Sequence, residues 1–324
     1  MRHRALRTGE GLTEIGFGAA QLGNLFRETD DATSQAAVDT AWDAGIRYFD
    51  TAPHYGLGLS ERRLGHALRA RPRTEYVLST KVGRLLEPDP SGSGRQDDEG
   101  FVVPATLRRR WDFSRDGILR SLEGSLERLG LDRVDVVYLH DPDEHWDAAS
   151  TTGVDTLVEL RDQGVVGAIG AGMNQAAMLT EFVRRTDVDV VMVAGRLTLV
   201  DQTALQELLP LALERGVSVV AAAAYNSGLL SSAVVPDDAV FDYGPAPASV
   251  VQRARAIARV CDRHGVTLPD AAVQYALRHP AVASVVLGCR TPDHVRSTVS
   301  RAGTEIPEEM WRELDDEGLV PDPR

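Results

Sequence analysis

Short apolar runs alternate with longer amphipathic stretches along almost the whole chain. The apolar runs have the length of β-strands, and apolar residues recur at helical spacing between them, which is the pattern of repeated βα units. The runs are almost uniformly apolar, as expected for a parallel sheet that helices cover. Eight runs are predicted as strands: Gly16–Ala19, Tyr48–Asp50, Val77–Thr80, Val134–Leu139, Ala168–Ala171, Val190–Val193, Ser218–Ala222 and Val285–Leu287.

The amphipathic stretches between these runs predict helices: Ser34–Ala44, Ser60–Arg69, Arg115–Leu129, Val154–Gln163, Ala176–Arg185, Ala204–Arg215 and Val295–Ala302. Several are followed by a glycine that can adopt the left-handed cap conformation, namely Gly45, Gly130, Gly164 and Gly216. Eight strands with intervening helices, and no change of composition along the chain, favour a closed, eight-stranded parallel (β/α) TIM barrel of the α/β class. We therefore expect a single barrel domain over residues 1–324.

Two of the predicted connections are much longer than the usual βα loop of about 2–6 residues. They are Glu87–Ser114 after the third strand and Tyr225–Ala248 after the seventh. The first ends with Arg108–Phe113, whose aromatic residues can pack over a site, and the second contains Asn226–Leu230 just after a strand. Long structured loops on barrels commonly serve as lids or binding loops.

Composition and charge narrow the class of protein. The 324 residues are 43% hydrophobic and 26% charged, typical of a soluble globular protein with a large core. The 48 acidic and 35 basic residues give a formal net charge of −13, which repels nucleic acid and anionic membranes. The chain has only two cysteines and shows neither a signal sequence nor an apolar run long enough to span a membrane. We therefore expect a cytoplasmic protein that binds neither nucleic acid nor membranes. We expect it to be a monomer or a small homo-oligomer.

Four polar residues follow or end three consecutive predicted strands. Asp50 ends the second strand, Lys81 follows the third, His140 follows the fourth, and Tyr55 lies in the loop after the second. Reactive groups of barrel enzymes sit at the carboxyl ends of strands and in the loops that follow them. Because neighbouring strands lie about 4.8 Å apart, these four side chains can converge at one rim.

This set of residues is suited to proton transfer at a substrate oxygen. The Lys81 ammonium would favour the phenolate of Tyr55 and lower its pKa, while Asp50 would hold the lysine and compensate its charge. The His140 imidazole can donate a hydrogen bond that orients a substrate oxygen. Each residue alone is more often structural, but a structural explanation must account for all four separately.

The spelling and order of these segments resemble the aldo-keto reductase superfamily. The matching segments are Gly45–Gly56, Ser60–Gly65, Ser79–Lys81, Arg120–Gly130 and Val134–His140. The resemblance covers the chain from the first predicted strand to the last helix. It implies that Tyr55 is the acid/base, Lys81 its tuner, Asp50 the partner of Lys81 and His140 the residue that orients the substrate.

The resemblance also implies a nicotinamide nucleotide, bound across the barrel mouth without a glycine-rich dinucleotide fold. The cofactor-binding positions carried over in this way are Asn174, Tyr225, Asn226, Ser227, Leu229, Gly288, Arg290 and His294. Gly288 stands where NADPH-dependent members have a phosphate-binding lysine, and His294 where they have an arginine. Losing two fixed cations weakens recognition of a 2′-phosphate, although Arg290 could partly replace them, so we expect NAD to be preferred over NADP.

Within the superfamily, four further segments resemble the bacterial aldose dehydrogenase branch: His54–Arg62, His140–Asp143, Ala194–Leu199 and Tyr225–Leu230. That branch implies oxidation of an aldose, such as L-fucose or a D-threo-aldose, at the anomeric carbon to a lactone. The side chains expected to bind the sugar are His54, Trp111, Asp141 and Arg196.

Three alternatives to the aldose reaction remain open at this point. One is a pyridoxal 4-dehydrogenase or general aldehyde reductase of the same superfamily, and another is a catalytically silent barrel that binds nucleotide as a redox sensor. The third is metal-dependent chemistry on residues 140–145, which are rich in possible ligands. A proline within this loop makes convergence of those side chains doubtful, so no metal site is predicted.

Overall fold

Eight parallel strands form a closed barrel in the computed structural model, which describes Met1–Arg324. The strands are β1 Ile15–Gly18, β2 Tyr48–Asp50, β3 Val77–Val82, β4 Val136–His140, β5 Ala168–Met173, β6 Val190–Ala194, β7 Ser218–Ala222 and β8 Val282–Gly288. Each strand pairs with the next along the chain, and β8 pairs with β1 to close the barrel. The predicted barrel is confirmed, and the predicted strand ends differ from the observed ones by at most three residues.

Ten helices surround the barrel or follow its last strand. They are α1 Asp31–Asp43, α2 Leu59–Leu68, α3 Arg115–Leu129, α4 Val154–Asp162, α5 Ala176–Arg185, α6 Leu208–Arg215, α7 Ala248–Arg263, α8 Leu268–Tyr275, α9 Pro292–Ala302 and α10 Glu308–Asp316. A helical turn at Trp146–Ala148 and a π-turn at Ala149–Gly153 lead into α4. All four glycines predicted as caps have positive φ, between 61° and 86°.

The predicted helix Ala204–Arg215 is wrong in its first four residues. A 3₁₀ turn at Thr203–Leu205 is separated from α6, which begins only at Leu208. Pro210 explains the break, because a proline lacks the N–H for a helical hydrogen bond and is tolerated only in the first helical turn. The helix therefore starts late enough to place Pro210 in its first turn.

The N-terminal end of the barrel is covered by a hairpin that the sequence pattern did not predict. Its strands, His3–Ala5 and Gly11–Thr13, pair antiparallel. Leu6 and Leu12 of this hairpin are buried in one cluster with interior residues near the starts of β4 and β6. The other end of the barrel, where the strands terminate, is therefore the end at which a site can open.

Both predicted long connections contain ordered hairpins. After β3, Arg84–Pro88 pairs antiparallel with Leu107–Trp111, so the connection assigned to Glu87–Ser114 starts inside one strand and contains the whole of the other. Its last residue, Ser114, caps the N-terminus of α3. After β7, Val240–Phe241 pairs with Gly244–Pro245. The main core, a cluster of 73 buried residues, joins the barrel to its helices. None of the helices combines the length and the apolar character needed to cross a membrane.

Candidate active site

Alternating residues on three neighbouring strands place the polar side chains. Side chains two positions apart on a strand lie on the same face, so Asp50 shares a face with Tyr48 on β2 and Lys81 shares one with Ser79 on β3. His140 ends β4 in the same way. The three strands are hydrogen-bonded neighbours, which brings Asp50, Lys81 and His140 together at the open end of the barrel.

Lys81 is the centre of this group. Its Nζ donates to Asp50 Oδ2 at 2.7 Å, to the carbonyl oxygen of Thr51 at 3.0 Å and to Tyr55 Oη at 3.1 Å. Burial alone would favour neutral Lys81, but the Asp50 carboxylate and the Tyr55 oxygen outweigh burial and raise its pKa. The ammonium is therefore retained, with all three of its hydrogens directed at oxygen atoms.

Tyr55 is held in place by a close approach of two backbone segments. Gly56 has φ of 64°, and a Cβ there would lie 2.2 Å from the carbonyl oxygen of Gly23. Only glycine at position 56 permits this contact, which sets the Tyr55 loop against the turn Ala20–Gly23. Because Lys81 donates to Tyr55 Oη, the phenolic hydrogen is free to point towards another acceptor.

The pKa of Tyr55 is raised in the structure, whereas the sequence predicted that Lys81 would lower it. Burial raises the pKa of Tyr55, and the opposing effect of the Lys81 ammonium is smaller in this state of the protein. The lysine therefore acts in the predicted direction but does not by itself make the phenol acidic. Tyr55 is therefore a phenol in this state, and the Lys81 ammonium would stabilise its phenolate once the proton had left.

His140 is a neutral imidazole that faces Tyr55. Their ring centroids are 5.9 Å apart and the rings are nearly perpendicular, at 88°. Burial, followed by the positive charges of Arg84 and Lys81, lowers the pKa of His140 well below its ordinary value. A neutral imidazole has one N–H donor and one acceptor nitrogen, so His140 can donate to a substrate oxygen without carrying charge.

Two adjoining cavities meet at this group. The smaller has a volume of about 470 Å³ and is lined by all four residues, Asp50, Tyr55, Lys81 and His140. The larger, of about 640 Å³, extends past the ends of β7 and β8. Gln21 lines both cavities. The arrangement offers one chamber for a small substrate and a longer one for an extended ligand beside it.

Most of the predicted cofactor positions line the larger cavity: Asn174, Tyr225, Asn226, Ser227, Gly288, Arg290 and His294. Leu229 does not, because it is buried in the main core. Arg290 donates to the carbonyl oxygens of Arg27 and Leu25, so its guanidinium holds the loop after β1. Burial and the neighbouring Arg27 lower the pKa of His294, which leaves that imidazole neutral.

The larger cavity has features that fit a nicotinamide nucleotide. Buried oxygens of Gln21 and Asn226 in its wall have no hydrogen-bond partner and can accept from an amide or a ribose hydroxyl. Arg27 and Arg301, which the sequence analysis did not identify, also line it. Their positive charge suits phosphate groups. No motif marks these two arginines, since they lie in separate loops and helices.

Two of the four predicted substrate residues line the smaller cavity, and two do not. His54 and Asp141 lie in its wall. Trp111 instead stacks on Phe113, with ring centroids 5.9 Å apart. Arg196 donates to the carbonyl oxygen of Asn174 at 2.9 Å and pairs with two carboxylates. Their placement gives no support to sugar binding by Trp111 or Arg196.

Among the residues of the smaller cavity that sequence reasoning missed, three belong to one segment. Arg84, Glu99 and Phe101 come from the hairpin after β3 and its tip. Arg84 pairs with Asp141, and Glu99 lies 3.7 Å from Nδ1 of His54. The polar stretch before Phe101 has the composition of an ordinary surface loop. Only the folding of this segment back over the barrel identifies the three residues as part of the cavity wall.

The residues considered as metal ligands do not gather around one point. The structure has no group of three or more His, Cys, Asp or Glu side chains arranged to hold a metal ion. His145 lies against the rings of Trp111 and Phe113. Within residues 140–145, His140 Nε2 and Asp141 Oδ2 lie 3.5 Å apart.

The fold and the site together define a class of protein: a closed parallel barrel whose open rim carries an Asp–Tyr–Lys–His group beside two adjoining cavities. Residues 14–317 match the model of the Aldo/keto reductase family. The chain is 47% identical to a D-threo-aldose 1-dehydrogenase from a Pseudomonas species, over 98% of each chain. It is 38% identical to a pyridoxal 4-dehydrogenase from Microbacterium luteolum, over 98% of this chain and 97% of that protein.

A solved structure of an aldo-keto reductase has the same fold as this chain. The holo form of an aldo-keto reductase from Bacillus halodurans has a TM-score of 0.75 to this chain at 26% identity, covering 99% of this chain and 96% of that one. The chain therefore belongs to the aldo/keto reductase family. It is an oxidoreductase that uses a nicotinamide nucleotide, NAD or NADP.

Proposed function

We propose that this enzyme is an aldose 1-dehydrogenase, which oxidises a cyclic, unphosphorylated aldose at its anomeric carbon to the lactone. The observation that carries the proposal is the placement of Lys81 Nζ between the Asp50 carboxylate and Tyr55 Oη, at the wall of a cavity that His140 and Asp141 also line. The similarity to a D-threo-aldose 1-dehydrogenase supports the same reaction.

In the proposed reaction Tyr55 first loses its phenolic proton to solvent. The anomeric hydroxyl then gives its proton to the Tyr55 Oη phenolate as the C1–O bond becomes a carbonyl. The Lys81 ammonium, 3.1 Å from Tyr55 Oη, stabilises that phenolate, and Asp50 holds the ammonium in place. Neutral His140 donates to the same substrate oxygen and orients it. A bound nicotinamide supplies the acceptor for the hydride that leaves C1.

The wall of the smaller cavity supports an uncharged polyol as substrate. Arg84 is paired with Asp141, and Lys81 with Asp50, so neither cation is free to bind a phosphate or carboxylate of the substrate. The Glu99 carboxylate lies 3.6 Å from Arg109 and 3.9 Å from Arg84. Its side chain is 47% exposed and keeps lone pairs that can accept hydrogen bonds from sugar hydroxyls. A neutral ligand with several hydroxyls can donate to Glu99 and accept from His140 without adding charge to the cavity.

We propose NAD as the preferred nucleotide. A side chain at position 288 would meet Gln21, because a Cβ there would lie 2.3 Å from its Nε2. The Arg290 guanidinium donates to backbone carbonyl oxygens, and the His294 imidazole is neutral. Neither residue therefore offers a free cation to a 2′-phosphate. The test is the ratio of kcat/KM for NAD to that for NADP, and a ratio below one would overturn the preference and point to Arg27.

The test of the reaction is Tyr55→Phe, which keeps the ring and removes the oxygen that takes the proton. We expect turnover of aldoses to fall by about 100-fold or more, with nucleotide binding unchanged in a titration of protein fluorescence. Reduced nicotinamide is followed by absorbance during turnover. Near-normal turnover by Tyr55→Phe would refute the role of Tyr55.

The second candidate reaction is oxidation of pyridoxal. The rings of Tyr55 and Phe101 lie 6.1 Å apart with an angle of 32°, and could stack against an aromatic substrate. The similarity to a pyridoxal 4-dehydrogenase favours the same candidate. A panel of aldoses and pyridoxal, each with both nucleotides, separates the two reactions. Flat traces throughout would favour a nucleotide-binding redox sensor.

A further inference from the structure

A second layer of polar side chains lies directly beneath the catalytic group inside the barrel. Tyr48, Ser79 and Tyr138 each stand two residues before Asp50, Lys81 and His140 on the same strands. Tyr48 Oη lies 3.1 Å from Ser79 Oγ and 3.2 Å from Tyr138 Oη. The side chains of this hydroxyl layer are fully buried. The layer ends on Asp50, whose Oδ1 accepts from Ser79 Oγ at 2.7 Å.

The bond to Asp50 sets the direction of every hydrogen in the layer. A serine has one hydroxyl hydrogen, and the Ser79 hydrogen goes to the carboxylate, since its other acceptor, the carbonyl oxygen of Phe49, is farther away at 3.4 Å. Tyr48 must then donate to Ser79, and Tyr138 must donate to Tyr48. The three hydroxyls therefore point in sequence towards the Asp50 charge.

Burial of the hydroxyl layer keeps its phenols protonated and strengthens the hydrogen bonds between them. It raises the pKa of both Tyr48 and Tyr138, so these phenols keep their protons. Chains of hydrogen bonds that point the same way polarise one another in a low-dielectric interior. Asp50 Oδ2 is bound by Lys81, and Oδ1 by Ser79, so without Ser79 one carboxylate oxygen would lose its donor inside the barrel.

The backbone is shaped to admit the aromatic rings of the layer. A Cβ at Gly16 on β1 would lie 2.8 Å from Cδ1 of Tyr48 and 2.9 Å from a methyl group of Val286. Glycine at this position leaves room for the Tyr48 ring in the barrel interior. The hydroxyl layer is thus packed in place from the neighbouring strands as well as hydrogen-bonded.

We propose that Ser79, supported by Tyr48 and Tyr138, is a positioning residue for the proton transfer at Tyr55. Ser79 orients the Asp50 carboxylate, and this carboxylate in turn holds the Lys81 ammonium against Tyr55. The inference rests on the proposed role of Tyr55 and adds three residues to the machinery that serves it. None of the three touches the substrate. Their effect passes entirely through Asp50 and Lys81.

The experiment compares Ser79→Ala, Tyr138→Phe and the double variant with Ser284→Ala as a matched control. Ser284 is also a fully buried strand serine, but it donates to the carbonyl oxygen of Thr13, away from Asp50. We expect Ser79→Ala to lower kcat by about 10- to 100-fold, the worth of one hydrogen bond to a charged group. KM for nucleotide and substrate should stay within about twofold, which a general loss of structure would not produce.

Coupling between variants tests the direction of the chain. Tyr138→Phe alone should cost a few-fold in kcat, and the double variant should be no worse than Ser79→Ala, because Tyr138 acts only through Ser79. In an Asp50→Asn background, Ser79→Ala should change kcat by less than about twofold, since no charge remains to be held. Ser284→Ala should retain the kcat of the unaltered enzyme.

Three results would overturn the inference: a Ser79→Ala enzyme with unchanged kcat, additive losses in the double variant, or an undiminished Ser79→Ala effect in the Asp50→Asn background. If Ser79→Ala does not fold, Tyr48→Phe takes its place, because it removes the donor to Ser79 and keeps the ring. The proposed reaction fails separately, through an active Tyr55→Phe enzyme. Loss of activity in Tyr55→Phe together with an unaffected Ser79→Ala enzyme rejects the positioning chain alone.

Discussion

Replacing Lys81 by methionine is the most direct perturbation of the site. Methionine has a similar length and no charge, so it removes the donor to Asp50, to the Thr51 carbonyl and to Tyr55 while largely filling the same space. Tyr55 is left without the ammonium that stabilises its phenolate. We expect turnover to fall at every pH, because the proton acceptor can no longer form readily.

The size of the effect follows from the geometry. Unit charges 3.1 Å apart interact by about 5 kcal/mol at an effective dielectric constant of about 20. That energy corresponds to about four pKa units for the Tyr55 phenol. The Asp50 carboxylate opposes the lysine at Tyr55 and offsets part of it. We therefore expect a loss of at least about 100-fold in kcat rather than the full value.

The same substitution should also destabilise the fold, since it leaves the buried Asp50 carboxylate unpaired. Breaking a buried pair from one side costs about 3–5 kcal/mol. The double variant Lys81→Met with Asp50→Asn removes both charges and should recover much of the stability. It should not recover turnover, because Tyr55 still has no cation beside it.

The assay follows reduced nicotinamide during aldose oxidation, with thermal unfolding of each variant measured in parallel. A folded Lys81→Met enzyme that retains more than a third of the original kcat would refute the reasoning. So would a double variant that regains turnover together with stability, because activity would then depend only on the integrity of the fold.

Two further expectations concern the cavity wall. Glu99→Gln should lower kcat/KM for aldoses by about 10-fold, the worth of one charge-assisted hydrogen bond, and should leave kcat/KM for aldehydes without hydroxyls unchanged. The control variant is Asp98→Asn, which changes an exposed neighbouring residue. Equal losses for both kinds of substrate, or a matching loss in Asp98→Asn, would contradict sugar recognition by Glu99. Burial, with Arg84 and Arg109, lowers the pKa of His54 to about 2, so the unfolded chain takes up this proton first and acid removes stability below the ordinary histidine pKa. His54→Gln should abolish that contribution, about 2 kcal/mol between pH 7 and pH 5, and parallel pH profiles of unfolding free energy would show that His54 is not responsible.

Much of the site could be predicted because a barrel converts strand order into position. Asp50, Lys81 and His140 end consecutive parallel strands, and the rule that such ends share one rim brings them together before any coordinates are known. The same holds for the long connections after the third and seventh strands. Their positions follow from the strand count, which the apolar runs reveal directly.

The hydroxyl layer was visible in the sequence as a repeated spacing but was not recognised. Tyr48 and Asp50, Ser79 and Lys81, and Tyr138 and His140 are polar pairs two residues apart within apolar runs. The spacing places each pair on one face of its strand. Only the closed barrel shows that the three faces point inwards and that the hydroxyls meet.

What the sequence by itself determined is the local content: eight apolar strands, the capping glycines, and the residues that end strands two to four. What only the tertiary structure decided is how distant segments share one cavity. Arg84, Glu99 and Phe101 reach the smaller cavity because the hairpin after β3 folds back over the barrel, and the Arg290 guanidinium donates to carbonyl oxygens of another loop. The burial that raises the pKa of Tyr55 is likewise a sum over many segments, and no local pattern encodes it.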